Sequence, residues 1–219
     1  SVGVPIVTGD TKVVDRGKGD GVFITTTGLG LVPEGIHLSP LRARPGDVVL
    51  INGAIAIHGI AILSVREGLE FETELRSDTA PLHDLVARIL DVAGEQVHVL
   101  RDPTRGGLAS ALNEIAARAG VGIRLEEERI PIWEEVRGAC EILGFDPLYV
   151  ANEGKCLVIV AREVAEAVLE AIRGHPLGRE AAVVGEVVED HPGQVVLRSR
   201  IGGMRIVDML SGEQLPRIC

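Results

Sequence analysis

Arg101-Asp-Pro-Thr-Arg-Gly-Gly107 is the stretch that decides the fold, because it joins two patterns of different period. The run before it, 97–101, is rich in Val and Leu and is typical of a short buried strand. The run after it, 107–119, repeats apolar side chains at helical spacing. Asp102 is expected to end the strand, and Gly106-Gly107 to open the helix. A strand, a polar turn and a helix in this order predict an α/β or α+β fold.

The same alternation extends in both directions from residue 46 onward, with no repeat of solenoid length. It predicts layers of helices packed on a sheet. The predicted strands are 47–51, 97–101, 121–126, 156–161, 180–189, 194–199 and 204–208, and the predicted helices are 54–66, 79–93, 107–119, 133–143 and 163–173.

Domain organisation follows from the composition of the segments. Residues 1–33 begin abruptly with an apolar β-rich run and contain predicted strands at 11–14 and 20–27. So few strands make a poor core, and we therefore expect residues 1–33 to be the end of a larger domain. The chain would then be a fragment. The alternative is a native start from which Met has been removed. The further divisions are a Gly/Pro connector at 34–45, an α/β domain at 46–190, and strands with a C-terminal tail at 191–219.

Charge and hydropathy exclude two classes of partner. The 22 basic residues are outnumbered by 32 acidic ones and aromatic residues make up 2%, so a nucleic-acid-binding surface is not expected. Residues 48–65 carry no charge, but Asn52-Gly53 and His58 interrupt them, which favours a buried strand and a packed helix over a membrane span. No signal peptide is visible, and a reducing cytoplasm is the expected location.

The three cysteines differ in context. Cys140 and Cys156 lie in apolar helical and strand patterns and are expected to be buried, without a disulfide framework or a zinc cluster. Cys219 is the last residue, and a thiol at a mobile terminus can travel between sites. The alternative is a disordered tail that ends in Cys by chance.

Three short polar motifs are candidates for chemistry. At 101–107, free amides at a helix start could bind an anion, Asp102 could bind Mg²⁺ and Arg105 could pair with phosphate; the alternative is a helix cap with a glycine turn. Gly9-Asp10-Thr11-Lys12 and Ala151-Asn-Glu-Gly-Lys155 each join charged groups to a glycine, and each is also compatible with an ordinary turn.

The order of these motifs, together with 146–154 and the terminal Pro216-Arg-Ile-Cys219, closely resembles the HypE family of hydrogenase maturation proteins along the whole chain. The terminal motif separates that family from the aminoimidazole ribonucleotide synthetases and selenophosphate synthetases, which share its fold and its use of ATP. The resemblance implies the C-terminal domain of that fold, preceded in 1–33 by the last strands of its ATP-binding domain.

The resemblance also implies an activity. In that family the C-terminal cysteine receives a carbamoyl group from the carbamoyltransferase HypF, and ATP-dependent dehydration converts the S-carboxamide to a thiocyanate. The cyanide passes to iron on the HypC–HypD complex and becomes a ligand of [NiFe] hydrogenase. The full-length proteins of that family form homodimers.

Carried over by motif position, the resemblance implies roles for individual residues. Cys219 is the covalent carrier, Glu153 the base and Lys12 its electrostatic partner. Asp102 corresponds to an acidic position used for Mg²⁺–ATP, with Asp10 as a weaker member of the cluster. Local electrostatics add Arg105, Gly106 and Gly107 as phosphate contacts.

One departure from the family affects the expected activity. The chain lacks an N-terminal region on which the nucleotide largely sits, so we expect it to bind ATP poorly and not to complete the dehydration alone. Two other functions stay open: an ATP-dependent synthetase acting on a free small molecule, and a non-catalytic thiol carrier.

Overall fold

The computed structural model describes residues 2–19, 21–68 and 75–211, and the chain divides into two units, Ser1–Ile36 and His37–Cys219. The described residues of the first unit form no helix or strand, so the strands predicted at 11–14 and 20–27 are not formed. Apolar side chains of this unit, Ile6 and Phe23 among them, are exposed. The physical reason is that a strand needs a neighbouring strand to hydrogen-bond with, and this described stretch offers none.

The described part of the second unit forms five α-helices and one seven-stranded sheet, and each element predicted from residue 46 onward is confirmed with its ends shifted by at most a few residues. The strands are β1 (Val48–Ile51), β2 (Val97–Arg101), β3 (Gly122–Glu126), β4 (Leu157–Val160), β5 (Ala182–Val188), β6 (Val195–Arg198) and β7 (Met204–Val207), and the helices are α1 (Ile57–Glu67), α2 (His83–Ala93), α3 (Gly107–Ala119), α4 (Glu134–Leu143) and α5 (Ala165–Arg173).

The strands lie in the order β2-β4-β1-β5-β3-β6-β7. All neighbouring pairs are antiparallel except β3 and β6, which are parallel. The chain therefore crosses the sheet repeatedly, and strands far apart in sequence become neighbours.

Helices cover both faces of the sheet, which explains why the interior strand β1 is apolar at every position. Val49 and Ile51 point into a core with α1, α3 and α4, whereas Val48 and Leu50 point into a second core with α2 and α5. Successive side chains of a strand alternate between faces, so a strand covered on both sides is apolar throughout.

The uncharged run 48–65 is thus divided between β1 and the start of α1, as predicted. None of the helices among the described residues is both long enough and apolar enough to cross a membrane. Cys140 and Cys156 are buried, which confirms the expectation for these two thiols.

Candidate functional site

The directions of the strands bring the polar loops to one end of the sheet. Because β4 is antiparallel to both β1 and β2, the residues that follow β1 and β2 lie beside those that precede β4. These are the segments 52–56, 102–106 and 150–156. Two of the three motifs that the sequence singles out therefore meet at this end, although about fifty residues separate them.

Asp102 directly follows β2 and leaves 61% of its side chain exposed. Arg101 Nη1 lies 2.8 Å from its Oδ1, while Nη2 of the same guanidinium holds Glu114 at 2.9 Å. Burial raises the pKa of Asp102, but a hydrogen bond from Thr104 and the charge of Arg101 outweigh it, so the pKa lies below that of an ordinary carboxyl group. Asp102 is therefore an exposed, ionised carboxylate, and its binding of Mg²⁺ stays a prediction.

Gly106 and Gly107 start helix α3 in the left-handed conformation, with φ of 64° and 61°. A Cβ atom on Gly107 would lie 2.3 Å from the carbonyl oxygen of Leu148 and 2.7 Å from that of Val150. The glycine is thus needed because the start of α3 packs directly against the loop before β4. Its contact with a phosphate stays a prediction.

Asn152 connects the three segments through its side chain and is only 2% exposed. Its Oδ1 accepts the N–H of Ala56 at 2.7 Å, and its Nδ2 donates to the carbonyls of Pro103 at 3.3 Å and Val150 at 2.9 Å. Two of these bonds cross about fifty and about a hundred residues of chain. The side-chain amide of Asn152 therefore joins distant segments, rather than only stabilising the local turn that the motif also suggests.

Glu153 is half-buried beside Asn152, and no residue in the described ranges hydrogen-bonds or pairs with its carboxylate. Its other neighbour, Gly154, has a φ of 61°, and a Cβ there would lie 2.1 Å from the carbonyl oxygen of Asp78. Glu153 is therefore held on both sides by tightly packed backbone while its own carboxylate stays available. Its role as a general base stays a prediction.

Three further predicted site residues, Asp10, Lys12 and Arg105, lie in the described part of the chain. Asp10 and Lys12 are exposed in the first unit, where Asp10 Oδ1 accepts the N–H of Thr11 at 2.9 Å. Arg105 is exposed and forms no ion pair with a described residue. Cys219 lies outside the described residues. In the described part of the chain, no group of three His, Cys, Asp or Glu side chains could hold a metal ion.

Sequence reasoning did not identify Asn152 and Asn52 as the residues that build the site. Asn52 is 1% exposed, accepts the N–H of Cys156 at 2.8 Å, and donates to the carbonyls of Gly154 at 3.1 Å and Leu177 at 2.8 Å. A signal was present in the sequence: Asn52 directly follows an apolar strand and Asn152 directly follows the apolar run 148–151, where an amide must find buried partners.

Residues 44–198 match the family model described as AIR synthase related protein, C-terminal domain. This chain belongs to the AIR synthase related family. The matched range includes the loop of Asp102 and that of Glu153, so both belong to the family domain.

Within the AIR synthase related family, the resemblance to HypE is confirmed. A curated relative, carbamoyl dehydratase HypE of Cupriavidus necator, is 64% identical over 99% of this chain and 62% of its own length. The structure of hydrogenase maturation protein HypE in complex with ATP is 47% identical with a TM-score of 0.78, covering 83% of this chain and 55% of that one. The structure of a HypE–HypF complex is 46% identical with a TM-score of 0.77, and the match covers 80% of this chain and 56% of that one. The chain thus spans less than two thirds of the relatives it matches.

Proposed function

We propose that this chain is the C-terminal part of a carbamoyl dehydratase that acts in hydrogenase maturation. The reaction converts an S-carboxamide on Cys219 to a thiocyanate, with ATP becoming ADP and phosphate. The observation that carries the proposal is the carboxylate of Glu153, which is half-buried and has no described partner, at the end of the sheet where Asp102 also lies. Curated relatives named carbamoyl dehydratase support it.

The chemistry requires a leaving group and a base. An amide oxygen leaves poorly, and ATP supplies the phosphoryl group with which that oxygen departs as phosphate. The amide nitrogen loses one of its two protons when the oxygen is phosphorylated, and Glu153 takes the other as the C≡N bond forms and the C–O bond breaks. Lys12 stabilises the charge near the substrate amide, and the sulfur of Cys219 keeps the product covalently attached.

The nucleotide and its metal would contact the loop that follows β2. Mg²⁺ prefers oxygen ligands and is usually bound through one or two carboxylates together with phosphates, which fits the single exposed carboxylate of Asp102. Asp10 is the weaker candidate for the same cluster. Arg105 is exposed and could pair with a phosphate, and Gly106-Gly107 could present backbone amides to it.

The partners are part of the proposal. A carbamoyltransferase of the HypF type would load Cys219, and the HypE–HypF complex among the similar structures supports this step. Iron on a HypC–HypD complex would receive the cyanide, in the cytoplasm, and the full-length protein would act as a homodimer.

The test is intact-mass spectrometry of the protein S-carbamoylated at Cys219 and then given Mg²⁺–ATP. We expect the full-length protein to lose one water at Cys219. Glu153→Gln should accept the carbamoyl group and then fail to lose water, whereas Cys219→Ser should not be loaded. Water loss at the normal rate in Glu153→Gln would remove Glu153 as the base. No water loss in the unaltered full-length protein would favour a thiol carrier or a synthetase.

A further inference from the structure

The segment that follows β7 lies along one face of helix α3. Val207 is the last residue of β7, and its carbonyl accepts a hydrogen bond from Asn113 Nδ2 at 2.8 Å. Three residues later, Leu210 contacts the start of the helix, because its Cβ lies 3.5 Å from the place that a Cβ on Gly106 would take. Gly106 and Asn113 are seven positions apart in sequence, so they lie on the same face of the helix, about two turns from each other.

The spacing of these two contacts shows that the segment is extended. Seven residues of α-helix cover about 10 Å, at about 1.5 Å per residue. Three residues of extended chain, from Val207 to Leu210, cover about the same distance at about 3.3 Å per residue. The segment 207–210, which we call the strap, therefore runs along about two turns of α3, from the middle of the helix toward its first residue.

The loop before β4 also holds the strap. This loop contributes Tyr149, whose hydroxyl interacts with the backbone of Asp208. The strand from which the strap leaves is tied to the same loop, since Arg205 Nη2 lies 2.6 Å from Asp146 Oδ2. The strap is therefore bound both by α3 and by the segment 146–149.

The strap leads to the end of the sheet at which Asp102 and Glu153 lie. Helix α3 begins directly after the loop of Asp102, so a residue that contacts the start of α3 is also close to that loop. Leu210 is such a residue, and Cys219 follows it nine positions later. An extended chain of nine residues spans at most about 30 Å. The contacts of the strap thus set the point from which this length is measured.

We propose that Asn113 and Tyr149 are positioning residues, which hold the strap along α3 so that the chain leading to the terminal cysteine starts from this end of the sheet. With the strap released, that chain would start from Val207, about 10 Å farther along α3. A tether raises the effective concentration of a group most where its length matches the span. The strap therefore raises the effective concentration of the Cys219 thiol at the loop of Asp102. Only the use of this thiol as a carrier rests on the proposed function.

A disulfide measures this effective concentration on the 219-residue chain, without the proposed reaction. Arg105→Cys places a thiol on the exposed loop before α3. Asp91→Cys places one near the end of α2, beside the start of β2 and on the face of the sheet opposite α3. Each protein dithiol exchanges with oxidised glutathione to give the protein disulfide and two reduced glutathiones, and the equilibrium constant gives the effective concentration. With Cys140 and Cys156 buried, we expect a value at position 105 at least about tenfold that at position 91.

The double variant Asn113→Ala/Tyr149→Phe removes two polar contacts of the strap. We expect the effective concentration at position 105 to fall about threefold or more, and that at position 91 not to fall. Met209→Ala is the matched control, since it shortens a side chain of the strap that is 46% exposed and should leave both values unchanged.

Two results would overturn the proposal: equal values at positions 105 and 91 with the strap unaltered, or an unchanged value at position 105 in the folded double variant. If the double variant does not fold, Tyr149→Phe alone decides, because it keeps the aromatic ring and removes only the hydroxyl. It should lower the value at position 105 about twofold, and no change would overturn the proposal.

The full-length protein shows what the strap does for the proposed reaction. With Cys219 S-carbamoylated, we expect single-turnover water loss to slow about threefold in the double variant, while the Mg²⁺–ATP concentration at half-maximal rate stays unchanged. This split separates the positioning of the cysteine from a general defect of the site. An unchanged rate despite a lower effective concentration would contradict the positioning role. If the unaltered protein loses no water, the proposed function fails, and the disulfide measurement still decides on the strap.

Discussion

At the scale of single residues, Asn152 illustrates how one buried amide positions a site. Its three side-chain hydrogen bonds join the start of α1 and the loop after β2 to its own loop before β4. Glu153 is the next residue in the chain, so the position of its carboxylate depends on these bonds. Asn152 is therefore a positioning residue rather than a catalytic one.

Replacing Asn152 with Ala should lower the free energy of unfolding by about 2–4 kcal/mol, because the buried N–H of Ala56 and the carbonyl of Val150 lose their side-chain partner, whereas the carbonyl of Pro103 keeps the backbone N–H of residue 152. Urea denaturation followed by circular dichroism measures this. Gln194→Ala is the matched control, since it removes an exposed amide and should change the free energy by less than about 0.5 kcal/mol. Equal losses in both variants would show that the Asn152 bonds do not hold the loops.

The cysteines allow a second prediction at this scale. Burial raises the pKa of Cys140 to about 11 and that of Cys156 to about 12. A raised thiol pKa means less thiolate at a given pH, so at pH 8 both groups are protonated and unreactive. We expect iodoacetamide at pH 8 to add one group to the folded chain, at Cys219, and three groups in urea.

Mass spectrometry counts these adducts. Cys219→Ser should take up none when folded and two when unfolded. An adduct on Cys140 or Cys156 of the folded chain would contradict the burial of these thiols. The same experiment shows whether Cys219 can react as the proposed carrier.

At the scale of elements, the start of α3 is decided by close packing. Gly107 and Gly144 both have positive φ, 61° and 72°, so alanine at either position is strained. Only at Gly107 would the added Cβ collide with backbone, since nothing lies within 4 Å of a Cβ at Gly144. The two glycines therefore separate conformational strain from steric contact.

We expect Gly144→Ala to lower the free energy of unfolding by about 1 kcal/mol and Gly107→Ala by at least about 2 kcal/mol more. Urea denaturation of the two variants gives the comparison. Similar losses would mean that α3 can move away from the 148–150 loop, and that the end of the sheet is less rigid than its contacts indicate.

The ends of elements also show where local patterns mislead. The helices predicted at 54–66 and 79–93 begin at Ile57 and His83. Ala56 takes a left-handed conformation with φ of 70°, which excludes residues before it from α1. Pro81 disfavours a helical conformation in the residue before it, so α2 starts after it.

At the scale of the whole molecule, nucleotide binding should depend on the part of the relatives that this chain does not cover. The described loop that follows β2 supplies one exposed carboxylate and one exposed guanidinium, which is little for a nucleotide. We expect calorimetry with Mg²⁺–ATP to show no micromolar binding to the 219-residue chain, and micromolar binding once it is extended to the length of its relatives. Micromolar affinity in the chain alone would contradict this.

The sequence by itself determined the elements of the second unit. The bounds predicted for the strand at 97–101 and the helix at 107–119 agree with the structure at both ends. The spacing of apolar residues and the Asp and Gly residues that flank these elements act only on the few residues next to them in sequence, so such signals can be recognised without the rest of the chain. The motif at 101–107 was likewise correctly placed between a strand and a helix. In the first unit the same local signals were insufficient, since a strand also requires a partner.

Only the tertiary structure decided which of these elements meet. Lys155 and Asp78 are 77 residues apart, and Asn152 and Ala56 are 96 apart, yet each pair is in contact. The second contact follows from the strand order, in which β4 lies between β2 and β1, and the first from the way in which the segment between α1 and α2 packs against the loop before β4. That order is set by burying two apolar faces of one sheet at once, a condition on the whole chain that no local stretch of sequence contains.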